Sequence, residues 1–399
     1  MPKKLLVVTP VYWPEGGGGM LATHLIIESL SKLKNVEITV LTSTSDPIKV
    51  KGVRYIADPL LRKIEKSFPL TTLVEKRYKK LIQEHDIVYL AYAFTFIPVA
   101  KRLKKKVIVH LHDYKIISPS SVIPYTCSVD PSLIKLIKES FRIKHLECKS
   151  VKSTILNLGD SLRTFPLLQW VQMASTVIAT SKRHAELITR VVPSIKDKLR
   201  VIYNPPPPIP NIEKKPNQIP IFLYVGGDSY IKGFPILLEA IVKFLKEGRK
   251  AKFIFAGKYS RKSLAYVSTI NRLYGSGIIQ VVGRLPHDEL MRLHKIAWAL
   301  IFPSICEEPL PYAVLEAIVS NTIPLPSRIG GVIEILNGTR VEEYMFKPGD
   351  VDDMLERVYL LQELSPKNVI EIGEEVRESV LKKLMRVNLS EAWRSVIYT

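Results

Sequence analysis

Cysteine is scarce in this chain: 399 residues hold three, Cys127, Cys148 and Cys306. They are too few and too scattered for a disulfide framework or a four-ligand zinc site, and each reads as structural. No run of about 18 apolar residues occurs. The longest candidate, Ile87 to Ala100, is broken by Pro98 and reads as a strand followed by a loop. There is no His-Glu-x-x-His or comparable ligand cluster, so nothing argues for a catalytic metal or a bound cofactor. A cleavable leader pattern is also missing, because Met1-Pro-Lys-Lys runs directly into the strand Leu5 to Thr9. The expectation is a cytoplasmic protein.

Acidic residues are outnumbered as well, 38 against 58 Lys and Arg, and the imbalance is local. Residues 1–200 hold 33 basic against 16 acidic side chains, a net +17, whereas residues 201–399 hold 25 against 22, a net +3. Clusters stand at 76–80 and 101–106. Such runs are often solvated helix faces; their functional reading is attraction to an anionic surface, lipid headgroups or nucleic acid. A nucleic-acid-binding protein would also need aromatic stacking platforms or a recognition helix, and the sequence offers neither.

What is present is a repeated alternation of short β-branched runs and longer amphipathic stretches, the pattern of βα units around parallel sheets. The first half reads as strands Leu5–Thr9, Glu37–Thr42, Ile87–Leu90, Val107–Leu111, a weaker Ser153–Leu156, Thr176–Ala179 and Arg200–Tyr203. A proline-rich stretch, 205–218, follows as a stiff linker. The pattern then restarts at Ile221–Val225, Lys252–Ala256, Ile278–Val282, Ala299–Phe302 and Thr322–Leu325. The expected architecture is α/β, with a Rossmann-like domain over 1–204, a second over 219–384, and a cleft between them. A long last helix from Pro366, with Trp393 and Tyr398 near its end, is expected to return to the first domain over about 385–399.

Glu308 and Glu316 bracket a segment that turns from loop into helix, directly after the strand Ala299–Phe302. Free N–H groups at a helix start attract phosphate. Carboxylates there would repel phosphate, so they are better explained as acceptors for sugar hydroxyls. Pro311 suits the first helical turn, which leaves the amides of Tyr312 and Ala313 for a ligand. Gly330-Gly331 and Glu334 follow the next strand. Strand C-termini are where open α/β sheets build sites. Gly16 to Gly19 follow the first strand and open a helix, so Gly18 and Gly19 allow close backbone approach, though the spacing is not the dinucleotide fingerprint. Gly226, Gly227 and Lys232 occupy the same place in the second half, where a lysine can neutralise a diphosphate as a point charge. His112, at a strand C-terminus, can bond a hydroxyl or shuttle a proton.

Together these residues resemble the retaining glycosyltransferases of the GT4 family, which have the GT-B fold. The resemblance covers nearly the whole chain: Thr9 to Gly19, His112-Asp113-Tyr114, Val201 to Asn204, Gly226 with Lys232-Gly233, the Glu-x7-Glu pair Glu308 and Glu316, and Gly330-Gly331-x-x-Glu334. It implies that Glu316 accepts from the ribose of a nucleotide-diphosphate sugar and that Glu308 holds hydroxyls of the transferred sugar. Lys232 and the Tyr312 and Ala313 amides would stabilise the leaving diphosphate, with His112 touching the sugar from the opposite wall. It also implies a metal-independent transfer with retention to an acceptor held by the first domain, and the basic first half favours a glycan or lipid-linked acceptor.

Three positions depart from the family pattern. Gly227 stands where an arginine is common, so a phosphate-binding guanidinium is missing and Arg284 or Lys258 is the candidate replacement. Pro311 replaces a usual glycine. Glu307 precedes Glu308, and only the eight-residue interval selects Glu308. The rival activity on the same fold is a sugar-nucleotide epimerase or hydrolase, which needs no acceptor.

Overall fold

The computed structural model describes residues 2–66, 71–148, 151–386 and 389–398, with the backbone alone at 148, over 151–157 and at 386. Cys148 therefore lies outside the described side chains. The chain divides into two compact units, Met1–Pro205 with Val387–Thr399, and Pro206–Arg386.

The first unit is built on a seven-stranded parallel sheet in the order Arg54–Ala57, Val36–Thr42, Lys3–Val8, Ile87–Ala91, Lys106–Leu111, Thr176–Ala179, Leu199–Val201. Both faces are covered, which is why its strands read as near-continuous apolar runs. Alternate residues point to opposite faces. Leu6, Val8, Val88, Leu90, Val107 and Val109 enter one buried cluster, and Leu5, Val7, Ile87, Tyr89 and Ile108 enter the other. Helix Leu389–Tyr398 completes the second cluster with Trp393, Val396 and Ile397. Trp393 is fully buried against the rings of Tyr89 and His110, at 5.8 and 5.9 Å between centroids.

The second unit carries a five-stranded parallel sheet in the order Ile279–Gly283, Lys252–Ala256, Ile221–Val225, Ala299–Phe302, Ile323–Pro326. In each sheet the chain builds outward from a first strand and then crosses to its other side. The strand order reverses between Lys3–Val8 and Ile87–Ala91 in one unit, and between Ile221–Val225 and Ala299–Phe302 in the other. Ligand sites of open α/β sheets lie beyond the strand C-termini at such switch points.

Three expectations change. Ser153–Leu156 is not a strand but part of helix Val151–Met173. Thr154 and Ile155 favour strands, but such a preference is a weak guide over four residues inside a 23-residue helix. Arg54–Ala57 adds a strand beyond those expected; it lies at the sheet edge with two exposed and two half-buried residues, so no apolar run marks it. The long last helix is two, Pro366–Arg386 in the second unit and Leu389–Tyr398 in the first, with residues 387 and 388 outside the described ones.

Candidate functional site

In the second unit, two loops leave the adjacent central strands and are stitched together. The amide of Ile305 donates to Ile231 O at 3.1 Å, and the Ser304 hydroxyl reaches the same oxygen at 3.3 Å. Gly233 has φ +74°, and a Cβ there would fall 1.8 Å from Pro303 O, so only glycine allows this approach. The stitching brings Lys232 against Glu308. The Lys232 ammonium donates to Glu308 Oε1, the Ser304 hydroxyl approaches the same oxygen at 3.3 Å, and Nζ also lies 5.7 Å from the centre of the Phe302 ring.

Glu308 is braced from behind by the glycine turn that follows strand Ile323–Pro326. Gly331 N–H donates to Glu308 O at 2.9 Å. Gly330 has φ +68°, and a Cβ on it would meet Glu308 O at 2.2 Å and Glu308 N at 2.7 Å. The diglycine is thus a packing requirement of the Glu308 backbone.

Helix Tyr312–Val319 begins directly after this loop. Pro311 is its cap and not its first helical residue, because a ψ of 120° takes it out of the helix. Its carbonyl accepts from Val314 and Leu315 at 3.2 and 3.3 Å, so the amides of Tyr312 and Ala313 still precede the first bonds of the ladder. One turn in, Glu316 is buried at 7% exposure, and its Oε1 is 2.8 Å from His287 Nε2. The carboxylate holds the His287 imidazole above its usual titration range. His287 opens helix His287–Leu293, and no local pattern marks it, because its partner lies 29 residues away.

The glycine at 227 also has a structural cause. Its φ is +62°, and a Cβ would fall 2.6 Å from Lys258 O, while Gly257 at φ +129° would push a Cβ to 2.6 Å from Gly227 N. The two backbones touch, and Asp228 N–H donates to Lys258 O at 3.1 Å. An arginine at 227 cannot fit this loop. Lys258 and Arg284, in loops that leave the two neighbouring strands at the same end, are exposed and make no ion pair among the described residues.

The first unit holds a separate cluster. Gly18 and Gly19 start helix Gly18–Ser31, whose cap is Gly17. A Cβ on Gly19 would lie 2.2 Å from the Tyr92 hydroxyl. Tyr92, at the end of strand Ile87–Ala91 with φ +66°, stacks on His112 at 5.4 Å, and His112 stacks on His110 at 4.2 Å. His110 is held by the Tyr89 hydroxyl at 2.6 Å. Both ring nitrogens of His112 lack a protein partner among the described residues. Burial pushes this ring down to about 3, so it is neutral at physiological pH. That fits hydroxyl recognition and disfavours a proton carried by His112 in the unliganded protein. No sequence signal marks Tyr92, which orients this ring, because its contacts join three separate strand ends.

Residues 207–377 match the sequence model of the family described as glycosyl transferases group 1. An uncharacterized glycosyltransferase of Methanocaldococcus jannaschii is 29% identical over 177 residues, 40% of this chain and 44% of its own. An uncharacterized 42.6 kDa protein of the cps region of Klebsiella pneumoniae is 25% identical over 33% of this chain and 31% of its own. The chain thus aligns with less than half the length of either relative. Among solved structures, Anabaena HepE in complex with UDP and glucose superposes with a TM-score of 0.65, at 16% identity and 99% coverage of both chains. The sucrose-phosphate synthase of Thermosynechococcus elongatus superposes at 0.69, with 15% identity and the same coverage. At such identities these likenesses establish the fold. Residues 207–377 are thus similar in sequence to the glycosyl transferases of group 1, and the two α/β units have the GT-B fold.

Proposed function

We propose that the protein transfers a sugar from a nucleotide-diphosphate sugar, with retention and without a metal, to a glycan or lipid-linked acceptor. The observation that carries this reading is the Lys232–Glu308 pair beside the start of helix Tyr312–Val319, braced by Gly330 and Gly331. A cation, two amides ahead of the helical ladder and two carboxylates suit a ligand with both phosphates and hydroxyls. Glu316 would take the ribose hydroxyls and Glu308 those of the sugar, while Lys232 and the amides of Tyr312 and Ala313 receive the charge that builds on the leaving diphosphate. Residues 219–384 would then form the donor domain. Residues 1–204, with His112, Gly18 and Gly19, would form the acceptor domain and contact the sugar. Positioning the acceptor on the face the diphosphate vacates gives retention and excludes water.

Support for a UDP donor comes from HepE, which was solved with UDP and glucose. The net +17 of residues 1–200 supports an acceptor presented at an anionic membrane surface. The first experiment is a thermal-shift panel of UDP-, GDP- and ADP-sugars, because a ligand that binds only the folded chain raises its stability. One donor should stabilise the protein, and Glu308→Gln should abolish transfer from it. No shift with any member would refute the reading, and free or isomerised sugar formed without acceptor would favour an epimerase or hydrolase. Binding to acidic vesicles no stronger than to neutral ones at low salt would remove the membrane.

A further inference from the structure

Glu316 is a carboxylate in a buried place, and its side chain retains only 9% of its exposure. Such a group costs several kcal/mol unless a partner compensates it. The partner is not the lysine of the site, which is engaged by Glu308, but His287, whose Nε2 lies 2.8 Å from Glu316 Oε1. His287 comes from a different βα unit, following strand Ile279–Gly283, and keeps 30% of its side-chain exposure. A carboxylate has about four lone-pair directions, so one oxygen can hold the imidazole while the other accepts a ligand hydroxyl.

We propose that His287 is a positioning residue that orients the Glu316 carboxylate for the ribose hydroxyls of the donor and supplies the positive charge opposite it. The proposal rests on the donor reading of Glu316 given above. The charged groups around His287 favour its protonation: Glu316 faces it from helix Tyr312–Val319, and Asp288 stands beside it on its own helix. His294, at the far end of that helix, is kept neutral by burial, which pushes it down to about 3. A bound diphosphate adds negative charge near the imidazole and favours the protonated ring further. Donor binding therefore takes up protons at pH values where the imidazole of the unliganded protein is losing its proton, and affinity falls as pH rises through that range.

Titration calorimetry of the full chain with UDP, GDP and ADP tests this, run at steps from about pH 6.5 to 9 in two buffers of different ionisation enthalpy so that proton uptake is read directly wherever the imidazole titrates. The wild type should bind one diphosphate with proton uptake. His287→Ala should bind it about tenfold more weakly with no uptake, the loss of one hydrogen bond to a charged group. His287→Gln, which keeps a donor but cannot titrate, should recover affinity to within about threefold and show no uptake. Unchanged proton uptake in both variants overturns the proposal, whatever their affinity, and leaves the donor reading standing. Should His287→Ala fail to fold, His287→Gln decides alone, since retained uptake in it refutes the role. If the wild type binds none of the three, the donor reading fails and this proposal with it.

Discussion

Replacing Gly330 by alanine separates the packing role of the diglycine from its conformational role. Two costs arise. The first is the left-handed conformation at φ +68°, which costs a residue with a Cβ about 1–2 kcal/mol. The second is the collision with Glu308, where the added carbon lies 2.2 Å from O, 2.7 Å from N and 3.0 Å from C. Ordinary contact begins at 3.4 Å, so the two backbones must part by about 1.2 Å. A displacement of roughly 1 Å at a reacting centre costs about 100-fold in rate. Gly338 provides the control, with φ +69° and open space where a Cβ would stand. Gly338→Ala should incur only the first cost, which lowers Tm by about 2–8 °C in a domain of this size, and retain transfer. Gly330→Ala should lose about 100-fold in kcat/KM in addition, measured as transfer from the donor identified by the thermal-shift panel. If Gly330→Ala keeps activity within about threefold of Gly338→Ala at a similar Tm, the bracing of Glu308 is not what the diglycine does.

Trp393→Ala should destabilise the first unit by about 3–5 kcal/mol in denaturant unfolding, because a fully buried indole is lost against Tyr89 and His110. Lys214 is buried with its ammonium donating to His294 O, Ala297 O and the Thr322 hydroxyl at 2.6, 2.5 and 2.7 Å, and burial pushes it down to about 7 from 10.5. Between those values the unfolded chain binds the proton that the folded one has shed, so this residue makes stability rise with pH; Lys214→Met should flatten that part of the wild-type profile in unfolding measured from pH 7 to 10. Arg284→Ala should weaken donor binding about tenfold if its guanidinium replaces the one that Gly227 cannot carry. Unchanged affinity in calorimetry assigns that role elsewhere, with Lys258 next to test.

The parallel sheets are legible in the sequence because strands buried on both faces leave continuous apolar runs, as Ile221–Val225 and Lys252–Ala256 do to the residue. Edge strand Arg54–Ala57 has half its residues exposed and leaves no such trace. Local order along the chain also announces Lys232, Glu308 and Gly330, each placed just after a strand by a short loop. Pro311 caps its helix where the sequence suggests a first-turn residue, because proline's fixed φ serves both positions and only ψ tells them apart.

By itself, the sequence determined the two-unit α/β plan, the strand ends at which candidate residues collect, and the eight-residue spacing of Glu308 and Glu316, all of which are encoded in short-range periodicity. Only the tertiary structure decided their partners. Lys232 meets Glu308 across 76 residues, His287 meets Glu316 across 29, and Gly227 is confined by the backbone of Lys258. These pairings depend on which strands lie side by side, and strand order is set by the packing of the whole sheet, which no local segment contains.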